Sequence, residues 1–196
     1  MAFIRNEAAA QIQGIMDRLG LTSPYLRGKT LEVYLEVRDS QGISHRETLA
    51  AAVYASCRLL GVPKTLKDLA AASGLKAKAI ARCYRSILLD FDLKMPVQDP
   101  AAYIPNIAAR AGLDPQTVRR GLEILEAAKK AGITAAKDPT GTAAGALYEA
   151  YAELHQRPPY GVKAEVTQKD IAEAAGVVEL TVRNRSHAIR SLLGRG

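Results

Sequence analysis

Thr65 to Ile87 reads TLKDLAAASGLKAKAIARCYRSI, and Thr167 to Ile189 reads TQKDIAEAAGVVELTVRNRSHAI, 102 positions further on and without a gap. Seven of the 23 aligned residues are identical (Thr, Lys, Asp, Ala, Ala, Gly, Ile), and most of the remainder keep apolar opposite apolar. An internal copy of this length means two similar structural units. The copies part company at the start of the last helix, where the second carries LTVRNR and the first carries KAIARC. Shared residues build the scaffold, and function is expected from the unshared ones.

The chain has 196 residues, which the repeat divides into units of about 95 to 100, at 1–95 and 96–196. Each is large enough for a core of its own. With no Trp and two Phe, those cores must be built from Ala, Leu, Ile and Val with some Tyr, a mixture suited to closely packed helices. Beta signals are nearly absent. The pattern predicts an all-α chain of two tandem five-helix domains, with a linker near Asp92 to Gln98.

Ile4, Ala8, Ile12, Ile15 and Leu19 recur at helical spacing and end at Gly20, and Leu26, Thr30, Val33, Tyr34 and Val37 give a second helix. A third opens with Ser44, His45, Arg46 and Glu47, where Ser44 and Glu47 can form a capping box, and it stops at Gly61-Val62-Pro63. Short and longer helices follow over 65–73 and 76–89. In the second unit Asp99-Pro100, Asp114-Pro115 and Asp138-Pro139 each set an N-cap acid before a first-turn proline. These predict helices over 100–111, 115–131 and 139–155, followed by 167–175 and 179–193. The stretch RPPYGVKAE after Gln156 predicts an exposed loop with Arg157, Tyr160 and Lys163 in reach of a partner.

Helix, turn and helix over 167–193 make a helix-turn-helix, a standard way of placing a helix in the DNA major groove. Stepping 100° per residue from Val182 puts Ile189 and Leu193 on the core side. Leu180, Arg183, Asn184, His187 and Ser191 cluster on the outward side. Their chemistry fits base reading: arginine binds guanine bidentately, asparagine pairs with adenine, and leucine packs on a thymine methyl. An ordinary polar surface has the same look. Thr181 and Arg190 are phosphate candidates beside this face. The first copy offers Ala77, Lys78, Ala81, Arg82 and Arg85 instead, a point-charge surface suited to phosphates or to an acidic protein.

Net charge is +7 and the sequence pI is near 9.5, consistent with a polyanionic partner. The first unit holds 14 basic and 9 acidic residues (+5), the second 13 and 11 (+2). Cys57 and Cys83 are too far apart in sequence for a zinc knuckle and are expected to be buried thiols. His45, His155 and His187 are scattered, no nucleophile motif is present, and Gly141-Thr-Ala-Ala-Gly145 lacks the Lys and Ser/Thr of a P-loop. Those glycines are expected to let two helix backbones approach closely. No enzymatic role, no cofactor and no metal are expected. Without a signal peptide or a membrane span, the expectation is a soluble, cytoplasmic monomer.

With both repeats in view, ASCRLLGVPKTLKDLA (55–70), IARCYRSIL (80–88), DPTGTAAGALYEA (138–150), TQKDIAEAAGV (167–177) and LTVRNR (180–185) come in the order and near the spacing of a known family. The chain resembles the core of archaeal transcription factor B, the relative of eukaryotic transcription factor IIB, over essentially its whole length. The resemblance implies two cyclin-like folds that bind the complex of TATA-binding protein with promoter DNA. It implies that the last helix-turn-helix reads the B recognition element upstream of the TATA box, with Leu180 and Arg183 on base-contacting places and Thr181 and Asn184 beside them. It also implies an acidic loop of TATA-binding protein against Lys78 and Arg82, with Arg85 alongside, and DNA phosphates near Ser44, His45 and Arg46.

Three departures bear on this. Complete members carry an N-terminal zinc ribbon and reader segment that engage RNA polymerase, whereas this sequence opens on the first cyclin helix without a cysteine cluster, so polymerase recruitment is not expected from it. Ser186 stands where the family more often has an aromatic. The 156–166 loop is longer than usual. A cyclin-type interaction module that never touches DNA, and a stand-alone DNA-binding regulator using 167–193 only, are the competing readings.

Overall fold

The computed structural model describes residues 2–38, 44–134, 138–155 and 165–194. The chain divides into two compact units, Met1–Val97 and Gln98–Gly196. The first holds α1 (Ala2–Arg18), α2 (Pro24–Val37), α3 (His45–Leu59), α4 (Leu66–Ser73) and α5 (Ala77–Asp90). The second holds a 3-10 turn (Pro100–Tyr103), α6 (Ile104–Ala111), α7 (Pro115–Lys130), α8 (Pro139–Leu154), α9 (Gln168–Ala175) and α10 (Glu179–Leu192). No strand occurs among the described residues, and no helix of them is long and apolar enough to cross a membrane.

Each unit is built around its third helix. Thr48 to Cys57 of α3 are all buried, as are Thr140 to Leu147 and Glu149 to Tyr151 of α8. A helix covered on all sides must offer neighbours a slim surface, and alanine and glycine supply it. α3 is in contact with α1, α2, α4 and α5, and α8 with α6, α7, α9 and α10. Ile12, Leu26, Leu69, Ile80 and Ile87 fill the first core, and Ile104, Ile124, Leu147, Ile171 and Val182 the second. Burying one such side chain contributes about 1.5–3 kcal/mol. The helical stripes at Ala8, Ile12, Ile15 and Leu19 and at Leu26, Thr30, Val33, Tyr34 and Val37 are buried as expected.

The copies repeat in atomic detail. Thr65 with Asp68 and Thr167 with Asp170 form reciprocal capping boxes at the starts of α4 and α9. Those helices end at Gly74 (φ 70°) and Gly176 (φ 72°), a left-handed conformation that glycine adopts without strain. Arg18 donates through Nε to the carbonyl of Ala72, and Arg110 through Nη1 to that of Ala174 at 3.4 Å, so both short helices are tied at the same residue.

Two local expectations need correction. The helix predicted over 100–111 is a 3-10 turn followed by α6, because Pro105 has no N–H for an α-helical bond back to Ala101 and restarts the helix at Ile104. At α3 Ser44 Oγ accepts from the Glu47 N–H at 3.3 Å, but the Glu47 carboxylate turns to Arg82 at 3.7 Å instead of completing a capping box. Arg157, Tyr160 and Lys163 lie outside the described residues.

The Gly141 and Gly145 expectation has an atomic reading. A Cβ on Gly141 would lie 2.6 Å from Thr181 Cγ2, and one on Gly145 would lie 2.5 Å from Arg185 Cβ and 3.0 Å from the Ser186 backbone nitrogen. α10 therefore rides on the bare backbone of α8. Gly145→Ala is expected to destabilise by about 1–3 kcal/mol through overpacking against backbone. Gly28→Ala, in α2 with nothing within 4 Å of its added methyl, is expected to stabilise by about 0.5–1 kcal/mol. Urea midpoints of the two variants should move in opposite directions.

Candidate nucleic-acid interface

α9, the turn at Gly176-Val177 and α10 form the helix-turn-helix. Val182 and Ile189 are buried and Leu193 packs on the same core, which fixes the inward face of α10. Leu180, Arg183, Asn184, His187 and Ser191 are all exposed. Leu180 is 58% exposed and Val178, at the start of the same helix, 66%. No side chain caps the start of α10, in contrast with α9.

Arg183 is held lightly. Its Nη2 donates to Glu179 Oε1 at 2.6 Å and its Nε to Gln168 Oε1 at 3.4 Å, with the side chain 60% exposed. An exposed pair four residues apart on a helix contributes only about 0.3–0.5 kcal/mol, so a base edge can compete for this guanidinium. Thr181 is half-buried, with its methyl over Gly141.

Arg190 has a partner inside the unit. Expected on a phosphate, it donates through Nη2 to Glu149 Oε1 at 2.8 Å and through Nε to Oε2 at 3.3 Å. Its side chain is 23% exposed against 7% for Glu149. The carboxylate raises the Arg190 pKa above its usual value. Ser186, fully buried, donates its hydroxyl to Glu149 Oε1 at 2.6 Å. Sequence reasoning missed this cluster. The available signal was a glutamate within the apolar ALYEAY run of α8.

In the first unit Lys78, Arg82 and Arg85 are exposed along α5, with Arg82 near Glu47. Ser44, His45 and Arg46 are exposed at the start of α3, and each has a partner within the unit, Ser44 as the N-cap of the helix. His45 Nδ1 lies 2.8 Å from the Tyr34 hydroxyl and Nε2 lies 3.1 Å from Gln11 Oε1. Both ring nitrogens thus have partners inside the unit, which a phosphate at His45 would have to displace. Arg46 donates through Nη2 to the Ser73 carbonyl at 3.3 Å, a bond that leaves other guanidinium hydrogens for an anion.

Burial pushes the Cys57 thiol up to about 12 and the Cys83 thiol up to about 11, far from a reactive thiolate at neutral pH. Among the described residues no group of three His, Cys, Asp or Glu is placed to hold a metal.

The sequence profile of the transcription factor TFIIB repeat matches residues 5–89 and 93–191. The chain belongs to the transcription factor IIB repeat family. It is 40% identical over 182 residues to a transcription initiation factor IIB of Pyrodictium occultum, covering 91% of this chain and 56% of that protein. It is 39% identical over 182 residues to the one of Pyrobaculum islandicum (91% and 52%), and 42% identical over 145 residues to the one of Saccharolobus shibatae (74% and 45%). The chain thus spans about half the length of the curated relatives it matches. A solved structure of the CAK complex from Chaetomium thermophilum bound to ATP-gamma-S aligns with 99% of this chain and 62% of its own, at TM-score 0.40 and 15% identity, too distant to bear on function.

Within this family member, two arginines on one helix are expected to behave oppositely. Arg190→Ala removes the charge partner of a buried carboxylate and should destabilise by about 1–3 kcal/mol. Arg183→Ala, at the surface, should change stability by no more than about 0.5 kcal/mol. Denaturant titration of both variants checks this.

Proposed function

We propose that the chain is the core of a transcription initiation factor that binds the complex of TATA-binding protein with promoter DNA. On this reading the second unit reads the B recognition element through Leu180, Arg183, Asn184 and His187. The first unit presents Lys78, Arg82 and Arg85 to TATA-binding protein, and Ser44, Arg46 and Thr181 hold phosphates. The observation that carries it is the outward face of α10, which offers an exposed leucine, arginine, asparagine and histidine on a helix whose inward face is locked. Family membership supports the same reading.

Bases are distinguished by the chemistry of that face, whereas lysines and arginines on phosphates supply affinity without sequence information. Salt dependence separates the two contributions, because each phosphate contact adds about 0.9 to the slope of log affinity against log salt.

A cyclin-type protein-interaction module without DNA readout is the second reading. A cavity of about 260 Å³ in the first unit, lined by Ile15, Leu49 and Leu75 together with Gln11, Arg18 and Arg46, favours it. Gel-shift titration on a TATA duplex with and without TATA-binding protein decides, since only the promoter reading yields a ternary complex. In that complex Arg183→Ala should cost about 1–3 kcal/mol and relax the preference at one base pair. Equal weakening on every flanking sequence would remove the base-reading role.

A further inference from the structure

A carboxylate stands in α8 where the packing calls for an apolar side chain. An isolated charge at such a depth is costly unless it is paired and hydrogen-bonded. Glu149 meets that condition through α10: the Ser186 hydroxyl at 2.6 Å and the Arg190 guanidinium at 2.8 and 3.3 Å converge on its two oxygens. Ser186 and Arg190 lie one turn apart, so one carboxylate grips two successive turns of the same helix.

The first unit makes the corresponding contact by other means. Tyr84 and Leu88 stand 102 positions before Ser186 and Arg190. Tyr84 packs edge-on against Tyr54 of α3, with ring centroids 4.9 Å apart. The aromatic contact belongs to the copy whose last helix exposes Lys78, Arg82 and Arg85. The charged cluster belongs to the copy whose last helix exposes Leu180, Arg183 and Asn184.

Along the rest of the α8–α10 seam Thr181 and Arg185 lie over glycines, and Val182 and Ile189 are buried in the core. A two-point guanidinium–carboxylate contact with a third hydrogen bond is directional. Base recognition needs its side chains held to within about 0.5 Å and 10–20°.

We propose that Glu149 is a positioning residue for base recognition, which through Ser186 and Arg190 fixes the rotation of α10 and so the promoter sequence preference, without touching DNA. The inference rests on the reading that α10 meets promoter DNA. The test replaces the whole cluster in the full chain, as Glu149→Leu, Ser186→Ala and Arg190→Leu together, which leaves net charge unchanged. Apolar replacement of a complete buried ion pair is commonly neutral or stabilising, so the fold is retained while the directional grip is lost.

Parent and variant, each with TATA-binding protein, are used to select from TATA duplexes randomised in the upstream flank. Melting temperature and affinity for one duplex with a scrambled flank are measured beside the selection. The expected result is an unchanged melting temperature, an unchanged scrambled-flank affinity, and a preference among flanks reduced about tenfold, or about 1.4 kcal/mol. A folded variant that keeps the parent's preference overturns the proposal. A variant that unfolds also overturns it, because the cluster is then a stability element. Arg183→Ala run in parallel separates the two levels. If it relaxes the preference and the triple variant does not, only the positioning role fails. If Arg183→Ala leaves the preference intact, base reading itself fails and the positioning role with it.

Discussion

The close seating of α10 on α8 is the constraint on which the second unit depends. Side chains are missing from Gly141 and Gly145 at the positions where a Cβ would meet Thr181 and Arg185. Bringing two helix backbones so near has a chemical consequence: polar groups between them lose water and gain from a partner inside. Glu149, Ser186 and Arg190 are mutually satisfied there, four residues further along α8 from Gly145. The glycines and the buried ion pair are thus parts of one arrangement. Close backbone approach along one stretch of the seam is followed by directed hydrogen bonds along the next.

That arrangement leaves the rest of α10 unencumbered. The helix spends one arginine inward and presents another outward, and the structure separates them by the cost of release. Arg190 cannot leave Glu149 without stranding a charge at 7% exposure. Arg183 exchanges a surface partner for water or a ligand at a cost near thermal energy. The same side chain is scaffold at one position and, on the proposed reading, contact surface at the other, and the deciding variable is the burial of its carboxylate.

Much of this was legible from residue order. Capping residues, Asp-Pro starts and glycine stops are local chemistry, and they placed the helices to within a residue or two. The repeat placed the two units before any packing was known, and stepping 100° from Val182 found the outward face of α10 because Val182 and Ile189 are both core. Pro105 was overlooked, although its missing N–H is as local a signal as the others. The cluster around Glu149 and the partners of His45 were not legible, for a different reason. They join residues 41 and 34 positions apart, and sequence assigns a charged side chain to solvent unless something reveals its partner. The internal repeat held a hint, because the place of Tyr84 is taken by Ser186, and a core that loses an aromatic must be refilled.

Comparing the copies also explains why a polar cluster belongs in one and not the other. Tyr84 packs edge-on against Tyr54 in the copy whose last helix presents point charges, a contact without a buried charge. Lysine and arginine on long stems tolerate shifts of the helix beneath them, since phosphate or carboxylate attraction falls off slowly with distance. A short asparagine or a leucine on a base edge has no such latitude. The copy whose outer face carries the proposed base-reading groups is the one whose helix is fastened by directional bonds. Stability alone gives no reason for that choice, because an apolar contact of equal volume would serve as well or better. Orientation does give a reason, and it ties a buried glutamate to the exposed face on the far side of its helix.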